Sequence, residues 1–489
     1  MADNRPLGWI AAVGAGLLAG AVLPPLGCPP LLWLALVPLW ALGPRAAALW
    51  GAAAVLISHR WLLALHPLDW VGVPMPLSLP LCLLLLFGCA LLGAVLVASW
   101  RWLVQRLGPE RWATALLAAV LWGLAEVLLA KGPLFWIGLG AAALPGDRSL
   151  AGLARLAGAG GLAAVQLLLG WGLWRLLVRW RGRRAMPWRP TLTWLLIVAL
   201  LHGLGWQQLS AAGAALPPSA PAPRSLLVLQ PAIPTRRKFD ADQQLWMLRQ
   251  LDRALDQAER NGSTALLLPE GALPLGQPLP RPAAVEVLSG GFRMVGEQLR
   301  SAVLAFPPGS QAAAAAVDKH RLVPLGEWIP GAGLIRWAGL SAVGGVNPGA
   351  PSRLLLRPEG PLAVAICYEI ADGQALANAS RAGAQWLLAS ANLDPYPPQL
   401  QEQFSALAQL RAIEAGRWLV SSANTGPSLV VDAAGVVRRG LPPGRAGTLA
   451  VRVQPRNDLT PYSRWGETPL ALVAAAAIAV LWRARMRES

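Results

Sequence analysis

The feature that most constrains this chain is a series of apolar runs about as long as a bilayer is thick. Seven lie in the first 210 residues, over roughly 7–24, 29–44, 46–65, 78–100, 112–130, 150–178 and 190–209, and an eighth covers 468–482. A helix rising 1.5 Å per residue needs about 20 apolar residues to cross the hydrocarbon core. Several runs reach that length. The eighth, TPLALVAAAAIAVLW, does not, and its flanks place it as a span: Arg464 and Trp465 before it, RARMRES after it. Composition agrees, since 55% hydrophobic residues in 489 leave too little polar surface for an ordinary soluble chain. The start, MADNRPLG, is weakly basic and lacks a small-residue cleavage site, so the first run is expected to be a span and not a cleavable leader.

Between 224 and 466 charged and apolar segments alternate as they do in soluble domains, after a Pro/Ala/Ser stretch, ALPPSAPAPR, at 215–224. The expected organisation is a seven-span domain over 1–213, a linker at 214–223, an α/β domain over 224–466, and a last span with its tail at 467–489. Arginines collect in alternate loops: Arg45, the 101–111 loop, the 175–189 loop RLLVRWRGRRAMPWR, and Arg483, Arg485 and Arg487. Positive charge stays on the cytoplasmic side. The α/β domain is then expected outside and both termini inside. Much of the net charge of +17 is this topology signal, so it points to lipid headgroups and not to nucleic acid.

Inside the outer domain, SLLVLQPAIP at 225–234, TALLLPE at 264–270, and runs at 302–305, 363–366 and 385–389 predict short buried strands. Helices are predicted at 243–258, with Leu245, Leu248, Leu251 and Leu255 on one face, and near 372–382 and 400–416. Alternating strands and helices predict an α/β sandwich. Three strand ends or turns carry an ionisable group: Glu270 closes LLLPE, Lys319 sits in DKHRLVPLGEW eight residues before Glu327, and Cys367 closes AVAIC. A cysteine in such a run is ordinarily a small buried hydrophobe. Cys28, Cys82 and Cys89 all lie in the N-terminal apolar part, so Cys367 has no disulfide partner in its own domain. Only three of the 42 basic residues are lysines, Lys131, Lys238 and Lys319. Where arginine is the default cation, a lysine at 319 suits a site that needs a compact ammonium, although a solvated turn would also hold one.

Other chemistries fit less well. His59, His66, His202 and His320 lack ligand-like spacing, so no metal site is expected. There is no G-x-S-x-G elbow and no phosphate-binding glycine loop. Gly158 and Gly160 lie in an apolar run, where small residues serve helix packing. Glu126 in LWGLAEVLLAKG is an acid well inside a span, to be read as functional or as a partner of Lys131 near the interface.

With Glu270, Lys319 and Cys367 in this order, the outer domain resembles the nitrilase superfamily. The strings LLLPEGALP, DKHRLVPLGEWIP and AICYEI, set between seven spans and a last one, resemble the bacterial apolipoprotein N-acyltransferase family. The resemblance implies an αββα sandwich, with Glu270 as general base, Lys319 as electrostatic stabiliser and Cys367 as nucleophile. It implies supporting roles for Glu327, Tyr368 and Glu369; substrate contacts are expected at Phe239, Asn392 and Tyr396, and at Glu126 as the acid inside a span. No cofactor is implied. The donor would be a membrane phospholipid and the acceptor a diacylated apolipoprotein, in a bacterial inner membrane with the catalytic domain on the periplasmic side. The sequence departs from the family at 391–398, ANLDPYPP, where an aromatic Asn-Asp-x-Trp-Phe loop is usual, and in a short 270–319 segment. A membrane-tethered amidase with the same triad, or an inactive scaffold, remains open on the residues alone.

Overall fold

Every apolar run contains a helix, and the first three helices, each opened by a proline, are short. The computed structural model describes residues 6–69, 72–183, 187–213, 220–237, 240–324, 326–328, 345–394 and 396–488. Helices α1 (Pro6–Ala21), α2 (Pro29–Ala41) and α3 (Pro44–Ser58) have 16, 13 and 15 residues. Proline lacks an N–H and disfavours helical backbone in the residue before it, so it starts a helix more readily than it continues one. The run expected at 46–65 ends as α3 at Ser58 and continues as a 3₁₀ turn, Arg60–Leu65.

Four longer helices follow with a four-residue one among them: α4 (Met75–Leu107), α5 (Trp112–Ala130), α6 (Arg148–Ala151), α7 (Ala154–Arg183) and α8 (Trp188–Gly213). With the final helix, Thr468–Glu488, five of the described helices are long and apolar enough to cross a membrane, and α1 to α3 are shorter apolar helices. The run at 150–178 is not one helix. Gly158 has a φ of +65°, and the space its Cβ would fill is taken by the Tyr462 ring, 2.4 Å away. Gly160 does serve packing: a Cβ on Gly123 would lie 2.2 Å from its carbonyl oxygen, so α5 and α7 touch backbone to backbone.

The α/β domain contains β1 (Arg224–Gln230), α9 (Ala241–Arg260), β2 (Ala265–Leu273), β3 (Glu286–Val295), β4 (Gln298–Phe306), β5 (Ala315–Asp318), β6 (Leu354–Leu355), β7 (Leu362–Ile366), α10 (Gly373–Arg381), β8 (Leu387–Ala391), α11 (Pro398–Ala415), β9 (Leu419–Ala423), β10 (Leu429–Val431), β11 (Val437–Gly440) and β12 (Gly447–Val453). A short α12 (Pro461–Trp465) leads into α13 (Thr468–Glu488). One six-stranded sheet runs β12-β1-β2-β3-β4-β5 and the other β11-β10-β9-β8-β7-β6. The parallel pairs β1–β2, β2–β3, β7–β8 and β8–β9 sit at the centre of the sandwich.

Period-two alternation explains the layers. Leu226 and Val228 of β1 and Leu267 of β2 join the core between the sheets, with Val364, Ile366 and Leu388 opposite. Their neighbours Leu227, Leu229, Leu266 and Leu268 face Met247, Leu251 and Leu255 of α9. The face of α9 is thus turned slightly from the sequence expectation: Met247 and Ala254 are buried, whereas Leu245 is 57% exposed.

Candidate active site

Two of the three strand-end residues, Glu270 and Cys367, owe their positions to a local break in regular structure. Pairing of β2 with β3 shifts register between Leu268 and Leu273, and Gly271 in that interval has a φ of +62°. The bulge carries Glu270. Gly290 of β3 passes so close that a Cβ there would lie 2.4 Å from the Glu270 Cα, so only glycine fits opposite the bulge. Lys319 extends β5 by one residue, its N–H donating to the Ser301 carbonyl at 2.7 Å. Cys367 ends β7 and opens a 3₁₀ turn, Cys367–Ala371, with a φ of +53°. That conformation is costly for a side chain with a Cβ and holds only where its surroundings impose it.

These breaks bring the groups together. Lys319 Nζ, 1% exposed, donates to Glu270 Oε1 at 2.7 Å and to Glu327 Oε1 at 2.8 Å. The second oxygens are also held: Glu270 Oε2 accepts from the Asn392 N–H at 3.0 Å, and Glu327 Oε2 from the Val323 N–H at 2.8 Å. Burial disfavours charge on Lys319, but Glu270, Glu327 and Cys367 together outweigh it and hold its pKa well above the ordinary lysine value. Burial pushes the Glu327 carboxyl up, with Lys319 opposing. Burial likewise pushes the Cys367 thiol well above its usual pKa, Glu270 adds to the effect, and Lys319 pulls against it. Burial thus favours the thiol over the thiolate. An acceptor for its proton is therefore part of any chemistry here.

Residues 15–172 match the family model described as apolipoprotein N-acyltransferase N-terminal domain, and residues 348–462 the one described as carbon-nitrogen hydrolase. The apolipoprotein N-acyltransferase of Prochlorococcus marinus (strain MIT 9313) is 49% identical over 503 residues, spanning 100% of this chain and 98% of its own. The chain belongs to the apolipoprotein N-acyltransferase family. The relative of that name from Parasynechococcus marenigrum (strain WH8102) is 50% identical, covering 95% of this chain and 98% of its own. One from Thermosynechococcus vestitus is 32% identical, covering 95% and 94%. This apolipoprotein N-acyltransferase family member is a multi-pass membrane protein whose nitrilase-like sandwich lies between α8 and α13.

Glu369 does not join Glu270 and Glu327 around Lys319. Its carboxylate accepts from the N–H groups of Ile366 at 2.8 Å, His320 at 2.7 Å and Arg321 at 3.1 Å, and both oxygens accept from Arg353 Nη1 at 2.8 Å. Arg353 Nη2 also donates to the Asp318 carbonyl at 2.9 Å. One buried ion pair thus grips the residues on both sides of Lys319 and the residue before Cys367. It sets the distance between the two sheets' contributions. Glu369→Gln should leave Arg353 as a buried, half-paired cation and cost about 3–5 kcal/mol. The check is thermal unfolding in detergent: a melting temperature equal to that of the unsubstituted protein would show that the clamp is not needed.

Within the 391–398 segment of this family member, Asn392 supports Glu270 from behind. Its side chain donates to Thr235 Oγ1 at 2.8 Å and accepts from Asn424 Nδ2 at 2.6 Å. Tyr368 and Tyr396 enter an aromatic cluster with rings of the membrane domain: Tyr368 lies 5.1 Å from Phe135, and Tyr396 lies 5.7 Å from Trp61. An apolar pocket lined by Trp61, Leu62, Leu65, Phe135, Tyr368 and Tyr396 follows this seam. Arg321 ties the same seam, donating to the carbonyls of Leu134 at 2.6 Å, Tyr368 at 3.1 Å and Ala130. Neither Arg321 nor Arg353 stands out in an arginine-rich sequence. The one signal was that Arg321 lies two residues from Lys319.

Glu126 is not brought to the triad and does not pair with Lys131. Its carboxylate accepts from Trp122 Nε1 at 2.7 Å and the Leu139 N–H at 2.8 Å, capping the 3₁₀ turn Leu139–Ala143. Lys131 instead donates to Gln374. Phe239 lies outside the described residues.

Proposed function

We propose that this chain transfers a fatty acyl group from a membrane phospholipid to the N-terminal α-amine of the diacylglyceryl-cysteine of an apolipoprotein, through a thioester at Cys367. The observation that carries the reading is the buried Glu270–Lys319–Glu327 cluster set against a cysteine at the seam with an apolar helical bundle. Glu270 takes the thiol proton as sulfur attacks the ester carbonyl. The carbonyl oxygen becomes an oxyanion beside the Lys319 ammonium and the Tyr368 N–H, each such donor being worth roughly 3 kcal/mol. The ester C–O bond then breaks, and the departing lysophospholipid alkoxide takes the proton from Glu270. In the second half the lipoprotein amine attacks the thioester, Glu270 accepts its proton, and the Cys367 sulfur leaves and is reprotonated.

Lys319 stays charged throughout, which suits it to stabilise an anion and not to shuttle a proton. The aromatic cluster of Trp61, Phe135, Tyr368 and Tyr396 supports transfer to an amine over hydrolysis, because it keeps the sulfur's surroundings dry. Mass spectrometry of a lipoprotein N-terminus incubated with membranes containing the protein tests the reading. A gain of one acyl group on the α-amine is expected. Hydrolysis of small amides with no acylated lipoprotein would replace it with a tethered amidase.

The reading also needs the sandwich to be outside the cytoplasm, in a bacterial inner membrane, with both termini inside. A reporter active only outside should be active when fused after Gly213 and silent when fused after Ser489. The reverse pattern would remove the lipoprotein acceptor along with the orientation.

A further inference from the structure

A second cleft lies at the end of the helical bundle far from the catalytic domain. The near ends are fixed by contacts: Ala130, closing α5, accepts from Arg321; Ala159, early in α7, donates to Glu414 Oε1 at 2.6 Å; Ala212, late in α8, accepts from Arg456 Nη1 at 2.7 Å. The opposite ends of these helices, with the C-terminal turns of α13, surround a cleft of about 740 Å³. Since α5 has 19 residues, the cleft is about 28 Å from the catalytic end, one hydrocarbon thickness away.

Four arginines from three segments converge on this cleft, Arg111, Arg175, Arg179 and Arg189, against a single acid, Glu110. That acid pairs with Arg175 at 2.7 Å. Charge that merely kept loops on one side of the membrane would have no reason to share one recess. The guanidinium planes are also oriented: Arg175 lies 5.7 Å over the Trp174 ring and Arg189 5.1 Å over the Trp188 ring. Two indoles form walls and are pinned, Trp171 Nε1 donating to the Pro109 carbonyl at 2.9 Å and Trp194 Nε1 to the Leu169 carbonyl at 3.1 Å. Gly172 admits Trp194, since a Cβ there would lie 2.6 Å from its ring. Below the charges the cleft is apolar, lined by Ile197, Val480 and Leu481.

We propose that this cleft binds an anionic phospholipid by its phosphate-bearing headgroup. Planar guanidinium forks match phosphate oxygens, tryptophans sit at headgroup depth, and the apolar floor takes the first methylenes of the acyl chains. The volume suits a headgroup with its glycerol. A free phosphate shares the charge chemistry but would leave the apolar floor unfilled. Basic pockets between spanning helices are where anionic headgroups are held.

The test uses the full chain in mild detergent, with lipid retention read by native mass spectrometry. Phosphatidylglycerol, phosphatidylcholine and inorganic phosphate are the probes. Phosphatidylglycerol should be retained in preference to phosphatidylcholine, and millimolar phosphate should not displace it. Arg179→Gln with Arg189→Gln should weaken phosphatidylglycerol retention about 30-fold. Thr193→Trp, which fills the cleft and keeps every charge, should do the same, so the result does not depend on one variant folding. Retention unchanged in both variants would overturn the site. Displacement by phosphate alone would overturn the lipid assignment and leave a soluble-anion site.

Discussion

Phospholipid alone should raise the intact mass of the purified protein by one fatty acyl group and release lysophospholipid before any lipoprotein is added. A cysteine nucleophile divides the transfer into two steps, and the first needs no acceptor. Hydroxylamine at neutral pH should remove the group, because it cleaves thioesters and spares amides. Cys367→Ala should give no adduct. Cys367→Ser should give almost none, since a serine hydroxyl is far less acidic than a thiol and the carboxylate at 270 is a weak base. Glu270→Gln should fail at the same step, because the thiol, already held protonated by burial, would have nothing to receive its proton. Losses of roughly 10³-fold or more are expected for each member of a group that acts as a unit. Acylation of lipoprotein by Cys367→Ala at a comparable rate would return Cys367 to packing.

Lys319→Ala and Lys319→Arg should both lower the rate of transfer by roughly 10²- to 10³-fold. The ammonium is 1% exposed between two carboxylates 2.7 and 2.8 Å away, a space set for a point charge and not for a planar fork. Lys319→Ala also leaves Glu270 and Glu327 buried without their cation, at a cost of about 3–5 kcal/mol. The sign with pH follows from the raised pKa. A lysine whose folded pKa exceeds its unfolded value contributes fully below about pH 10 and loses that contribution only as pH rises through the folded value. The deficit of Lys319→Ala should therefore be complete at neutral pH. Near-normal transfer by Lys319→Arg would mean that position 319 needs only positive charge.

What could be read in advance follows from how local the signals are. Eight apolar runs announce eight helices because a span carries its whole requirement in one continuous segment. Their ends were less legible: in the apolar run at 150–178 Gly158 looks like a packing glycine, and only the packed bundle shows that it breaks the helix and yields to Tyr462. Glu270, Lys319 and Cys367 were visible because each interrupts or follows a short apolar strand. The partner of Glu369 was not, because Arg353 stands among many arginines and its choice of acid is made by the pairing of β6, which it precedes, with β7, which Glu369 follows. Strands β3, β5, β6 and β9 to β12 went unpredicted. β6 and β10 have only two and three residues, and β11 is wholly exposed, so the apolar alternation that marks a half-buried strand is absent from them, whereas in β12 it is present and was passed over.

The pairing of β1 with β12 has a consequence for biosynthesis. Arg224 lies opposite Val453, so the first sheet lacks an edge until some 230 residues beyond α8 have been made. In the proposed orientation that whole length crosses the membrane before it can close, because its last strand must arrive beside its first. Helix α13 follows β12 along the chain and so lies beyond the strand that closes the sandwich. It docks on α5 and α7 from the side, as a latch on a door already hung, and a chain halted before it would present a finished catalytic domain anchored at one end only.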